Sequence, residues 1–132
     1  MIKKNDLNPS VVEILMGKLP FDDVIQLCSK CALKSSMQHK HGAVVVSSDG
    51  KRILGTGYNY ITERYMHTYS CHAEVAAIQD CLKKVHNKSH MQDATLVVVR
   101  IGGHGEQRLS NPCKPCRAYI EKHGIRKVFY ST

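Results

Sequence analysis

A chain of 132 residues, 42% of them hydrophobic and 23% charged, has the size and apolar content of one compact unit, which excludes a two-domain enzyme, a disordered chain and a disulfide-only miniprotein. No apolar run approaches a membrane-spanning length, and Asp6, Asn8 and Glu13 interrupt any signal-peptide core behind Lys3 and Lys4. The expectation is a cytosolic protein with no membrane partner, a single unit over 1–132 with 1–20 as an N-terminal extension. Nineteen Lys and Arg against eleven Asp and Glu leave a formal charge of +8, which points to phosphate-bearing partners without separating nucleotides from polymers.

In chain order, Pro9-Ser10 opens a short predicted helix through Met16, with Gly17 as its stop. From Phe21 to Met37, apolar residues at 21, 24, 25, 28, 31 and 32 fall near a 3.6-residue period and predict a helix with one buried stripe. Ala43 to Ser47 and Lys51 to Tyr58 flank Ser48-Asp49-Gly50, whose Asp-Gly pair signals an antiparallel hairpin. Residues 59–70 read as loop. His72 to Lys84 is good helix material, too densely apolar for an exposed element. The run Ala94 to Ile101 has the β-branched continuity of a strand covered on both faces. After a Gly-rich loop from Gly102 to Asn111, a helix from Pro112 to His123 ends at Gly124, and Ile125 to Ser131 reads as the last strand. The alternating second half calls for parallel pairing of its two strands across the intervening helix. The expected fold is a three-layer α/β/α sandwich around a mixed four-stranded sheet.

Six cysteines and eight histidines in a chain without a secretory signal point to metal or catalysis rather than to disulfides. Cys113 and Cys116, at i and i+3 in what reads as a first helical turn, share one face where free N–H groups and the helix dipole favour thiolates. His72, at the start of the other helix, can add a neutral nitrogen. Three such ligands suit a tetrahedral Zn²⁺ with its fourth position open to water, the arrangement of a catalytic ion. Glu74, two residues beyond His72, is then placed to shuttle the protons of that water.

This H-x-E with P-C-x-x-C arrangement is the recognised signature of zinc-dependent deaminases. The chain resembles the cytidine and deoxycytidylate deaminase superfamily from about His41 to Tyr130, through HGAVVV (41–46), GTGYN (55–59), CHAEVAAI (71–78) and SNPCKPC (110–116). The resemblance implies one zinc ion per chain, a homo-oligomer, and hydrolytic deamination of a cytosine base. It also implies that Asn59 contacts the substrate sugar, that Ala73 offers its backbone to the base, and that the backbone around Ser110 meets the amino group. Arg100, Arg108 and Lys114, with Arg117, fall near the strand end and loop that should border the site and are candidate phosphate contacts.

The leading expectation is a cytosine mononucleotide as substrate. The segment from Asn59 to His72 leaves little room for a regulatory insertion, and the chain closes on its last predicted strand where polymer-gripping relatives commonly continue into another helix. The charge of +8 keeps the alternatives in view, a deaminase acting on RNA or single-stranded DNA, or a zinc-stabilised nucleic-acid-binding module without catalysis. Cys28 and Cys31 form a second C-x-x-C. They fit the apolar stripe of their helix as core thiols, and their distance from Cys113 in the chain argues against a shared four-cysteine zinc site. Cys71 and Cys81 read as packing residues, and His39-Lys40-His41 reads first as a polar loop ahead of the hairpin, with lining the pocket or binding a second metal as the alternatives.

Overall fold

The structure, a computed structural model, describes residues 2–3, 19–64, 67–85 and 87–132. The helix expected from Pro9 to Met16 lies outside the described residues.

Helix α1, Phe21–Leu33, starts from Pro20 in extended conformation and carries Asp22 and Asp23 in its first turn, where the helix dipole favours negative charge. Its stripe is buried as the spacing predicts. It stops at Leu33 rather than Met37: the N–H groups of Lys34 and Ser35 bond back to Cys31 and Ala32 in a tight final turn. The Ser35 hydroxyl then accepts from the Met37 amide at 3.2 Å, a local bond that competes with continuing the helix.

Strands β2 (Lys40–Val46) and β3 (Ile53–Tyr58) form the antiparallel hairpin, turned at Gly50 with φ +72°. β2 also pairs antiparallel with β6 (Thr95–Ile101), and β6 pairs parallel with β8 (Lys127–Tyr130) across the helix between them. The mixed sheet of these four strands is as expected. Two two-residue strands widen it to six: β1 (Ile2–Lys3) runs parallel to β8, and β7 (Gln107–Arg108) pairs antiparallel with β6. The loop expected at 59–70 is instead a separate two-stranded sheet, β4 (Tyr60–Arg64) with β5 (His67–Cys71).

The sheet alternation sorts the core into two layers. Val44, Val46, Val97, Val99 and Phe129 meet α1 through Phe21, Val24, Ile25 and Cys28. Ala43, Val45, Leu96, Val98 and Val128 face the opposite layer, formed by α2 (Ala73–Lys84) and α3 (Lys114–Lys122). Helix α2 lies close on β3: a Cβ at Gly57 would collide with the Ala77 backbone nitrogen. Among the described residues no helix is long and apolar enough to cross a membrane.

Candidate metal centre and its cavity

The start of α2 and the start of α3 meet. His72 caps α2 in extended conformation. Cys113 is the N-cap of α3 rather than a member of its first turn, with Pro115 close behind and Cys116 inside the turn. His72 Nδ1 lies 3.0 Å from Cys116 Sγ and 3.5 Å from Cys113 Sγ. The three donor atoms all fall within 4.8 Å of one another, separations that an ion with bonds of about 2.0–2.3 Å to nitrogen and sulfur can bridge. Two soft thiols and an imidazole are a zinc donor set. Cys116 is buried, whereas His72 and Cys113 reach the surface.

Glu74 lies one residue inside the start of α2 and is 5% exposed. Burial raises its carboxyl above the usual carboxylate range, opposed by its own backbone N–H, by His72 and by a hydrogen bond from the Cys116 thiol. Burial also pushes the Cys116 thiol up, reinforced by the Glu74 charge and by Cys113. Three groups that become anions on losing a proton are therefore crowded at two helix N-termini. A divalent cation is the species that lets the thiols ionise there.

A cavity of about 440 Å³ opens beside the three donors. The structure brings His72, Ala73, Glu74, Cys113, Asn59 and Ser110 together in its lining, with Cys116 behind them. The Asn59 side chain is fixed at both ends: Oδ1 accepts from the His41 amide at 2.9 Å and Nδ2 donates to the His39 carbonyl at 2.6 Å. The Ser110 hydroxyl donates to the Val98 carbonyl at 3.0 Å, accepts from the Ser131 amide at 2.9 Å and sits 2.9 Å from the Ser131 hydroxyl. That hydroxyl anchors the loop ahead of α3 to the sheet, as does the Ser110 amide, which donates to the Ser131 carbonyl at 2.9 Å, and the Ser110 carbonyl is what remains for a ligand.

The candidate phosphate contacts are placed differently. None of Arg100, Arg108 and Lys114 lines the cavity. Arg108 pairs with Glu106 at 2.9 Å on the surface, and Lys114 is exposed at the start of α3. Arg117 braces the chain ahead of α3 through the Pro112 carbonyl and the Asn111 side chain. Arg100 touches the cavity wall indirectly, its Nη2 lying 2.7 Å from His39 Nδ1.

His39 and His41, read from sequence as a polar loop, line the cavity, as do Met37, Gln38 and Asn111, which the sequence reading did not single out. His41 stands inside β2, where burial lowers its imidazole pKa, with the Arg100 charge acting in the same direction. The Asp49-Gly50 turn alone does not predict this placement, because a bulge between Val45 and Val46 shifts the register by one, so that Gly42 pairs with Tyr58 and the Asn59 amide reaches the His41 carbonyl.

Over residues 21–132 the chain matches the family model described as the cytidine and deoxycytidylate deaminase zinc-binding region. No curated protein sequence matches it. Its fold is similar to dCMP deaminase from the cyanophage S-TIM5 in apo form, with 24% identity, 94% of this chain and 84% of that chain covered and a TM-score of 0.56. The same enzyme in complex with dCMP and dUMP gives 21% identity, 94% and 82% coverage and a TM-score of 0.56. Cytidine deaminase from Burkholderia pseudomallei gives 19% identity, 86% and 85% coverage and a TM-score of 0.65.

Proposed function

The chain belongs to the cytidine and deoxycytidylate deaminase family, and from that premise we propose that it is a zinc-dependent hydrolase converting a cytosine mononucleotide to its uracil counterpart and ammonia. The observation that carries the reading is a His72, Cys113 and Cys116 donor set of which His72 and Cys113 line the same cavity as the buried Glu74. A neighbour of the same fold solved with dCMP and dUMP supports a nucleotide as ligand.

Zinc held by His72 and the two thiolates would supply the Lewis acidity that makes hydroxide accessible near neutral pH. Glu74 takes a proton from the attacking water and hands it to ring nitrogen N3 as oxygen adds to C4. It then conveys the second proton to the departing amino group, so that the C4–N bond breaks, C4=O forms and ammonia leaves. Burial suits Glu74 to this task, because it brings the carboxyl's proton affinity closer to that of its exchange partners. Ala73 presents its backbone to the base, the Ser110 backbone meets the amino side, and Asn59 holds the sugar. The protein acts as a homo-oligomer with one zinc per chain.

The test is a panel assay for ammonia or mass change on zinc-loaded protein with cytidine, deoxycytidine, their monophosphates, adenosine and a short single strand. A cytosine monophosphate should be turned over best. Glu74→Gln should keep its zinc and lose activity by about 10²–10⁴-fold; undiminished ammonia release by that variant would sink the mechanism. Conversion of the single strand alone would move the assignment to nucleic-acid editing, and zinc with no product from any substrate would move it to a binding module.

A further inference from the structure

Among the described lining residues of the cavity Glu74 is the only carboxylate, beside the metal donors His72 and Cys113. At the start of β2, His39 and His41 flank Asn59, whose amide is held by the backbone of both. Behind them, Arg100 sits opposite His41 in the β2–β6 register. Among the described residues no carboxylate pairs with Arg100, and its Nε is buried with no hydrogen-bond partner. A partly buried guanidinium without a counter-charge is costly, and a bound anion would offset that cost.

The bonding also fixes the tautomers of the two rings. A guanidinium can only donate, so the 2.7 Å contact makes His39 Nδ1 the acceptor and puts the His39 proton on Nε2. His39, a lining residue of the cavity, therefore carries an N–H donor at Nε2 that is backed through Nδ1 by a full positive charge. His41 is arranged in the opposite sense: its Nδ1 lies 3.3 Å from the His39 carbonyl, which can only accept, so its Nε2 is left as a lone pair. Lys40, between them, is turned away, with Nζ donating to the Ser35 carbonyl at 2.7 Å.

We propose that His39, positioned by Arg100, is a specificity-determining residue that selects a phosphate monoester on the substrate's sugar, and hence a nucleoside monophosphate over the free nucleoside. The inference rests on the deaminase reading, in which a nucleotide runs from Glu74 past Asn59 toward His39. The phosphate supplies the anion that Arg100 lacks, accepts the His39 Nε2–H, and leaves the His41 lone pair for a sugar hydroxyl. Arg108, already paired, and Lys114, on the surface, take no part.

The experiment compares kcat/KM for dCMP and deoxycytidine on the zinc-loaded full chain, and titrates dUMP and deoxyuridine as non-reacting ligands. The wild-type chain should bind dUMP at least about tenfold more tightly than deoxyuridine, the worth of one charge-assisted hydrogen bond. His39→Ala should lower the dCMP-to-deoxycytidine ratio of kcat/KM by a similar factor, mostly through KM. Arg100→Gln should act in the same direction, with partial recovery in Arg100→Lys. Equal losses on both substrates, or equal binding of the two uridine ligands by the wild-type chain, would overturn the proposal. Should the wild-type chain deaminate neither substrate yet prefer dUMP in a way that His39→Ala abolishes, the deaminase reading fails and the phosphate site stands.

Discussion

The two C-x-x-C pairs share a spacing and little else. Cys28 and Cys31 lie within α1, on its buried stripe, and Cys28 donates its thiol hydrogen to the Val97 carbonyl at 3.4 Å. Cys113 and Cys116 lie at the N-terminal end of α3, where backbone N–H groups have no intrahelical partner, and a histidine from the start of α2 comes within 3.5 Å of both. Cys28 is enclosed by valines and phenylalanines of the α1 layer and Cys31, though buried, borders a shallow pocket beside Thr56 and Lys34, whereas Cys113 of the second pair opens onto the cavity that Glu74 lines. An i, i+3 spacing puts two thiols on one face of any helix. What separates a metal site from a packed core is the helix end, the third donor and the open side, and two of these belong to the tertiary structure.

Removing one ligand is the strongest test of that contrast. Cys116→Ala deletes the buried donor of the set and should release zinc and abolish turnover, read by metal analysis of the purified protein beside the deaminase assay. Cys28→Ala should do neither. It leaves a small void under α1 and frees the Val97 carbonyl, at a cost of about 1–2 kcal/mol, measured by urea unfolding with zinc and activity retained. Loss of zinc from the Cys28 variant would mean that the two pairs are not independent.

The same contrast explains what could be read from sequence. The sandwich was legible because β2 and β6 are covered on both faces, so that Val44 and Val45, or Val97 and Val98, point into different cores and leave an unbroken apolar run. The candidate site was legible because His72, Glu74, Cys113 and Cys116 have few bland uses together at helix starts. The β4–β5 hairpin was not: among its residues whose burial is described none lies in either core cluster, Ile61 is 54% exposed, and these positions show no buried alternation. β1 and β7, at two residues each, are shorter than any period. Met37 extended the predicted α1 because it is apolar, yet it is placed by Ser35 and lines the cavity. His39 and Arg100 are 61 residues apart, and their pairing exists only through the β2–β6 register.

The smallest effect expected from the contrast is one of pH. In the folded chain, burial pushes the Cys28 thiol far above its ordinary value, reinforced by Cys31 and only partly opposed by its own backbone N–H. A folded-state pKa raised above the unfolded value means stability that is complete below the unfolded pKa and is lost as pH climbs past it, because only the unfolded chain ionises there. Starting near pH 8.5, where a free thiol titrates, Cys28 should cost the fold about 1 kcal/mol for each further pH unit. Cys31 and Cys81, also raised chiefly by burial, add to the same alkaline slope. The zinc pair works in the other direction, since its thiols bind metal as thiolates and protons compete for them as pH falls. Unfolding the zinc-loaded chain in reductant from pH 7 to 10 should therefore show a falling stability that is shallower in Cys28→Ala, while zinc loss is confined to acid. An alkaline slope unchanged by Cys28→Ala would show that this thiol reaches water in the folded state, and the division between a sealed core thiol and an open pair would fail.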